Sequence, residues 1–147
     1  MYLAVHILAA VIWVGGDVML QAIALRVFRE DDPKRLVAFT ADVAWVGTRL
    51  LVPSSLILVL FGFMLVSKGN WPYDFWIVAA IVVWAASAVT GSVFLGPESG
   101  RISRLAVAEG AESPEVTARI RRVVAISRVE MILLILIVID MVLKPGT

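Results

Sequence analysis

Four long runs of apolar residues, separated by shorter polar stretches, dominate the pattern along the chain. They extend from about residue 2 to 25, 46 to 66, 75 to 95 and 123 to 143. A helix that crosses about 30 Å of hydrocarbon needs about 20 mostly apolar residues. The pattern therefore predicts an all-α, polytopic membrane protein whose 147 residues form one domain, a bundle of four transmembrane helices.

Two of the polar stretches carry signals for the start of a helix. Asp32-Pro33 and Ser113-Pro114 each place a capping residue before a proline at the first helical position. Apolar residues then recur at helical spacing into the next span: Leu36, Phe39, Val43 and Val46 after the first signal, and Val116, Ile120 and Val123 after the second. We therefore expect amphipathic helical extensions on the cytoplasmic side, with apolar faces that a partner protein could bind.

The basic residues are unevenly distributed between the connections. Of the 13 Lys and Arg residues, 11 lie in or beside the first and third connections, and the other two are Lys68 and Lys144. The first connection has Arg26, Arg29, Lys34, Arg35 and Arg49, and the third has Arg101, Arg104, Arg119, Arg121, Arg122 and Arg128. Connections rich in Lys and Arg stay in the cytoplasm. The distribution thus predicts a multi-pass protein whose termini both lie outside.

The composition agrees with a membrane protein and narrows its chemistry. Hydrophobic residues make up 61% and charged residues 17% of the chain, against about 45 to 50% and about 25% in soluble domains. Without Cys there is no disulfide or thiolate ligand, and one His excludes a two-His metal site within one chain. A net charge of +1 gives no reason to expect nucleic acid as a partner; the lipid bilayer is the expected one.

Four ionisable residues fall at a similar depth near the cytoplasmic ends of the spans. Counting along the helices at about 1.5 Å per residue predicts an inner charge cluster of Asp17, Arg49, Arg128 and Glu130. Opposite charges at one depth could neutralise each other and fix the helices without any chemistry. The same residues, with Asp17, Arg49 and Glu130 as the principal groups, could instead form the proton or ion path of a small transporter.

Near the opposite face, the same counting places Asp140 level with His6 and predicts an outer pair. The alternative is that Asp140 bonds Lys144, one turn further on.

The first helix carries a stripe of small and polar residues on one face: His6, Ala10, Trp13, Asp17 and Ala24, with Ala9 and Gly16 beside them. Such a stripe is typical of a close contact between membrane helices. In the functional alternative, His6 ligates haem iron or a metal ion between helices.

Pro53 predicts a bend in the second span beside the inner cluster. It has no N–H to donate to the carbonyl group of Arg49. Ser54, Ser55 or a water molecule could satisfy that carbonyl instead. We therefore expect a polar cavity at this level.

Four segments resemble the bacterial integral membrane family catalogued as domain of unknown function 2269. They are residues 5–16 (VHILAAVIWVGG), 49–54 (RLLVPS), 94–102 (FLGPESGRI) and 140–146 (DMVLKPG). The resemblance covers nearly the whole chain. It implies a four-helix protein of the bacterial inner membrane, and the family carries no established activity.

A shorter pattern in the first helix, His6 followed by Trp13 and Gly16, is similar to two other groups. These are the copper-resistance D membrane domain and the HemJ-type protoporphyrinogen oxidase. The resemblance implies haem b or copper binding through His6, with Trp13 and Gly16 packing beside it. The third span lacks the basic residue that the oxidase pattern would carry, and bis-histidine haem would require a homodimer.

Three functional hypotheses follow, and none assigns a catalysed reaction. The leading one is an inner-membrane protein that binds haem b or copper through His6. The second is a non-catalytic interaction or assembly subunit that uses its apolar cytoplasmic faces. The third is a small proton- or ion-coupled transporter.

Overall fold

The computed structural model describes residues 1–144 and is all-helical over that range. It has six α-helices, in chain order α1 (Tyr2–Glu30), α2 (Pro33–Val46), α3 (Val52–Gly69), α4 (Phe75–Val89), α5 (Gly96–Glu109) and α6 (Pro114–Leu143). Two π-helical segments, Gly47–Leu51 and Thr90–Leu95, join α2 to α3 and α4 to α5. The all-α prediction is confirmed.

Three helices in residues 1–144 are long and apolar enough to cross a membrane. They are Tyr2–Glu30, the continuous helix Pro33–Gly69 of 37 residues, and the continuous helix Phe75–Glu109 of 35 residues. They contain the first three predicted spans. The fourth predicted span lies in α6, whose apolar part includes three ionisable residues, Arg128, Glu130 and Asp140.

The bundle consists of two helical hairpins. In the first, α1 packs along α3; in the second, α4 packs along α6. Contacts of α1 with α6, of α2 with α5 and α6, and of α3 with α4 hold the hairpins together. The segment 70–74 is the covalent link between them.

Local capping explains the tight turns at one end of the bundle. Asp31 adopts a left-handed conformation (φ 50°) after α1. The Asp32 side chain then accepts hydrogen bonds from the backbone N–H groups of Lys34 and Arg35, as the Asp32-Pro33 signal predicts. Gly110, with φ 92°, follows α5 and supplies a conformation that residues with a side chain rarely adopt.

The two ends of α6 agree only in part with what the sequence predicts. α6 begins at Pro114 as expected, but the Ser113 hydroxyl donates to Glu109 Oε2 at 3.0 Å instead of accepting from the helix. α6 ends at Leu143, and Lys144 takes a left-handed conformation. A proline and a glycine directly after Lys144 are typical of a helix end. These two residues, Pro145 and Gly146, lie outside the described residues.

Each π-helical segment ends two residues before a proline. The segments end at Leu51 and Leu95, and the prolines are Pro53 and Pro97. A proline ring clashes with the carbonyl group four residues earlier and offers it no donor. The wider turn relieves this clash, so the bend predicted at Pro53 takes the form of a π-helical segment. The matching segment before Pro97 makes α4 and α5 one continuous helix, although a proline such as Pro97 is typical of the first turn of a new helix.

The hydroxyl groups near Pro53 do not bond the carbonyl that the sequence suggests. Ser54 Oγ donates to the Leu50 carbonyl at 2.7 Å, and Ser55 Oγ donates to the Val52 carbonyl at 2.9 Å. Both hydroxyls therefore bond within their own helix, three or four residues back, and not at Arg49.

The tightest packing lies at one end of the bundle, which we call the polar end: residues 24–43 and 96–124. Its buried core consists of Ala24, Val27, Leu36, Phe39, Ile102, Val116, Ile120, Val123 and Val124. Ile102 and Val116 have no exposed surface, and Ile120 is 1% exposed. The end of α1, α2, α5 and the start of α6 thus form a small four-helix core of their own.

This core corrects one expectation. The apolar faces predicted to bind a partner are packed against each other: Leu36, Phe39, Val116, Ile120 and Val123 are buried, and Val43 packs against them. Burying apolar area within the chain stabilises the fold by about 25 cal/mol per Å². The extensions are amphipathic, as predicted, but their apolar faces are not available as a partner surface.

Candidate functional site

A layer of buried polar side chains crosses the bundle just above the polar end. Helix α1 contributes Asp17 and Gln21, which are one turn apart and therefore share a face. Gln21 Nε2 donates to Ser127 Oγ of α6 at 2.9 Å. Glu130, one turn beyond Ser127, accepts a hydrogen bond from the Ser87 hydroxyl of α4. Three helices of the two hairpins thus meet through polar groups.

Asp17 and Glu130 form a carboxyl pair within this layer. Asp17 is only 8% exposed, Glu130 is half-buried, and the two groups interact electrostatically. Asp17 Oδ2 is buried and has no hydrogen-bond partner in the described part of the chain. Two acids from different helices therefore meet in a region where charge is costly.

The basic members of the predicted inner cluster do not join these acids. Arg49 and Arg128 are both exposed, and within residues 1–144 neither forms an ion pair with Asp17 or Glu130. The Arg49 guanidinium lies 5.8 Å from the ring centre of Trp45, which is itself 61% exposed. The predicted neutralisation of the cluster is therefore absent from the described structure.

Helix geometry explains this separation. Arg128 and Glu130 are two residues apart, so they project about 200° apart around α6 and cannot share a face. On the second helix, Leu51 is the residue that faces α1, since a Cβ added at Gly16 would lie 2.8 Å from Leu51 Cδ2. Arg49, two residues earlier, points away from it. Counting residues along a helix predicts how deep a charged side chain lies, but not which side of the helix it projects from.

A small cavity adjoins the polar layer on the side of the polar end. Its volume is about 20 Å³, and its polar lining comes from Gln21, Thr40 and Ser127. A cavity of at least about 10 to 15 Å³ with polar partners can hold one water molecule. Gln21 Oε1 is buried without a hydrogen-bond partner in the described residues, so a water here would have an acceptor to bond. Seven of the ten residues that line the cavity are apolar and Pro53 is not among them, so the polar cavity expected beside Pro53 stays a prediction.

His6 connects the two helices of the first hairpin. Its Nδ1 lies 2.8 Å from the carbonyl oxygen of Leu58 in α3. Because a carbonyl can only accept, Nδ1 carries a proton, and in the neutral imidazole Nε2 is then the nitrogen with a free lone pair. A Cβ added at Gly62 would lie 3.1 Å from His6 Cε1, so the glycine leaves room for the ring.

The rest of the predicted stripe on α1 faces several neighbours: Gly16 faces Leu51, Asp17 faces α6, and Ala24 belongs to the core of the polar end. Ala9, Asp17 and Ala24 are buried, while Trp13 and Gly16 are half-buried. The stripe is therefore a helix contact, as one of its two interpretations predicts. Its ligand-binding interpretation stays a prediction. Residues 1–144 contain no group of three or more His, Asp or Glu side chains that could hold a metal ion.

The predicted outer pair is not joined in the structure. No hydrogen bond or ion pair links His6 with Asp140 among the described residues. Asp140 Oδ2 is buried and lacks a hydrogen-bond partner there. The Lys144 amine, one turn beyond Asp140, lies 4.5 Å from the ring centre of Trp71 and 5.5 Å from that of Trp76.

A second charged site, around Glu98 in α5, was not predicted from the sequence. Glu98 is 5% exposed and accepts hydrogen bonds from Arg119 at 2.7 Å and from Arg101 at 3.4 Å. The bond from Arg119 is the main cause that holds the pKa of Glu98 below its usual range, against the opposing effect of burial. The sequence did carry one signal: Glu98 and Arg101 are three residues apart and share a helix face.

Comparison with known proteins places the chain in one family. The model of the family described as "Predicted integral membrane protein (DUF2269)" matches residues 1–145. No curated protein and no solved structure matches the chain. Because the match extends over almost the full length, the chain belongs to this family of integral membrane proteins, domain of unknown function 2269.

Proposed function

We propose that the protein is a proton-coupled membrane carrier in which Asp17 and Glu130 hold the transported proton. The observation that carries this proposal is the carboxyl pair itself. Its two members come from different hairpins, one of its oxygens has no hydrogen-bond partner in residues 1–144, and the arginines predicted beside it are exposed.

The charge state of the pair follows from elementary electrostatics. Two carboxylates that interact across a medium of low dielectric constant repel each other, so ionising both is costly and one of them favours a bound proton or cation. Ser87 bonds Glu130 and can support the ionised form of that member. The cavity beside Gln21 lies within the polar end, next to the layer that holds this pair, and a water molecule there could exchange the proton.

This function requires a continuous four-span bundle, and we infer that α6 is the fourth span. Its middle bonds α4 through Glu130 and Ser87, and at its end Lys144 lies over Trp71 and Trp76, beside the start of α4. It therefore runs the whole length of its neighbour. By the distribution of basic residues, the polar end faces the cytoplasm and both termini lie outside the bacterial inner membrane.

Infrared spectroscopy of the protein in membranes tests whether the pair holds a proton. We expect a carboxyl C=O band that appears and disappears as the pH is changed, and that is absent from both Asp17→Asn and Glu130→Gln. Arg128→Gln is the matched control, because it removes a charge at the same level of α6 on the exposed side. A band unchanged in Asp17→Asn and Glu130→Gln would contradict the proposal.

Transport is tested separately in vesicles. Wild-type vesicles with an internal pH indicator should take up protons under an imposed membrane potential faster than vesicles with Asp17→Asn, and Arg128→Gln should resemble wild type. If the infrared band is present but uptake is equal in all vesicles, the pair holds a proton but does not move it across the membrane by itself. Gel filtration and circular dichroism establish that each variant is folded.

Haem ligation by His6 is a second candidate function, and one observation favours it. Ligating histidines usually donate their other ring N–H to a carbonyl or carboxylate, which orients the ring. The Nδ1 bond to Leu58 has this form and would leave Nε2 as the ligating atom. A single imidazole suffices for haem iron. It does not suffice for a copper site built from several protein ligands.

The visible spectrum of His6→Asn and His6→Gln tests this second candidate. Asn can place a donor near the position of Nδ1 and keep the bond to Leu58, whereas Gln reaches the position of Nε2. If His6 ligates haem, protein expressed with haem precursor shows a Soret band that His6→Asn lacks, although that variant remains folded. Absence of a Soret band from the wild type would refute the assignment.

A further inference from the structure

A groove lined by three arginines lies between α5 and α6 at the polar end. Its volume is about 300 Å³, and its walls are Arg101, Arg104, Leu105, Ala108 and Arg119. The proton-carrying pair is not part of it. The groove is therefore independent of the proposed function.

Two carboxylates hold the guanidinium groups in place. Buried Glu98 accepts from Arg119 and Arg101, and Glu115 accepts from Nε and Nη2 of Arg119 at 3.2 and 3.1 Å. Arg104 is exposed and forms no ion pair within the described residues. Three cations against two anions leave the groove positive, with Arg104 as its uncompensated charge.

The position of the groove along the helices indicates which anion it meets. Arg101 lies six residues beyond the third predicted span, about 9 Å along the helix, and Arg119 lies four residues before the fourth, about 6 Å. The headgroup layer on each side of the hydrocarbon is about 5 to 8 Å thick. Arginine side chains can extend toward it. The guanidinium groups of Arg101 and Arg119 thus lie at the boundary between headgroups and water. Arg104 is nine residues beyond the span, about 14 Å, and reaches this boundary through its long side chain, which a helix directs toward its N-terminus and therefore toward the membrane.

We propose that this groove binds the phosphate headgroup of an anionic phospholipid from the adjacent leaflet. Guanidinium groups bind phosphate oxygens through paired hydrogen bonds, and Arg104 supplies the charge that the lipid neutralises. Arg101 and Arg119, fixed by Glu98, direct their remaining N–H groups at the same phosphate. The short side chain of Ala108 leaves space for the group that the phosphate carries.

Native mass spectrometry of the detergent-solubilised protein tests this site with phosphatidylglycerol as the probe. Arg104→Gln should reduce the fraction of protein that retains the lipid by about fivefold, the effect of one basic residue near a membrane surface. Arg121→Gln is the matched control. It is exposed, belongs to the same connection and lies two residues beyond Arg119, outside the groove. The control should retain phosphatidylglycerol as the wild type does.

Two further probes distinguish a lipid site from other sources of the same chemistry. Zwitterionic phosphatidylcholine should bind equally and weakly to the wild type and Arg104→Gln. Inorganic phosphate at the same concentration should leave the bound lipid in place. The proposal is overturned if Arg121→Gln loses as much lipid as Arg104→Gln, if phosphatidylcholine is retained as well as phosphatidylglycerol, or if inorganic phosphate displaces the lipid completely.

Discussion

At the scale of single residues, the direction of a side chain decides what its charge can do. Asp17 and Glu130 point into the bundle, whereas Arg49 and Arg128 point out of it. A long arginine at the edge of a membrane reaches water or headgroups, while a short aspartate cannot. Counting along the helices predicts only a depth for each of the four, and the opposition of Arg128 and Glu130 could have been predicted from their spacing. The carboxyl pair could not, because it depends on how the hairpins pack.

Glu98 offers a prediction about pH at this scale. The bond from Arg119 holds the pKa of Glu98 in the folded protein below its usual range, about 4.3 when unfolded. A lowered pKa stabilises the fold above the unfolded value, and the stabilisation is lost as the pH falls through the folded value. We expect the thermal stability of the detergent-solubilised protein to decrease below about pH 4.3, less steeply in Glu98→Gln.

Glu98→Gln should also destabilise the folded protein at neutral pH. Hydrogen bonds to charged groups contribute about 1.5 to 3 kcal/mol, so Glu98→Gln should lower the free energy of unfolding by about 2 kcal/mol at pH 7. Glu115→Gln is the control, since its carboxylate is more exposed and pairs with the same Arg119. Equal effects of the two substitutions at pH 7, or identical pH profiles of wild type and Glu98→Gln, would show that the buried pair does not stabilise the fold.

At the scale of elements, each of the two continuous helices, Pro33–Gly69 and Phe75–Glu109, contains a π-helical segment. An apolar pattern alone predicts regular helices without such segments. The starts at Pro33 and Pro114 and the end at Glu109 could be predicted from capping residues and prolines. The continuity of α4 with α5 could not. A glycine-proline pair is typical of a helix start, but a wider turn accommodates the proline when both sides of the helix are held by packing.

Pro97→Ala tests the cause of the second π-helical segment. Alanine restores an N–H that can donate to the carbonyl of Val93 four residues earlier. One added hydrogen bond of about 1 kcal/mol should slow amide hydrogen exchange in residues 90–97 about fivefold, measured by mass spectrometry. Pro33→Ala is the control, because that proline occupies the first turn of α2, where the N–H has no helical partner. Unchanged exchange in Pro97→Ala would assign the segment to packing alone.

At the scale of the whole molecule, the bundle has two sections that are stable for different reasons. The predicted spans present large apolar side chains outward, as a lipid environment allows, while the polar end buries its apolar side chains as a soluble protein does. The all-α class and the bundle could be predicted from the sequence. The sequence could not predict that Leu36, Phe39 and Ile120 pack against each other. An amphipathic helix shows that its apolar face must be buried, but not whether another part of the chain or a partner protein buries it.

Ile102→Ala tests the importance of the polar end. Ile102 has no exposed surface, and removing such a side chain costs about 2 to 5 kcal/mol through lost burial and the cavity that remains. We expect a large decrease in the free energy of unfolding in detergent, followed by circular dichroism. Ile132→Ala, at a side chain 49% exposed on α6, should change it by less than about 1 kcal/mol. Equal losses would show that the core of the polar end does not control stability.

The connection of the two hairpins by residues 70–74 alone has a consequence for how the chain can be assembled. Each hairpin closes its own turn at the polar end, at 31–32 and at 110–113, so a break within 70–74 would leave both turns intact. Two fragments produced from separate reading frames would each retain a complete antiparallel pair. Their complementary faces, including Gln21 with Ser127 and the shared apolar core, would still specify how the fragments associate. The protein is in this sense a covalently linked heterodimer of helical hairpins.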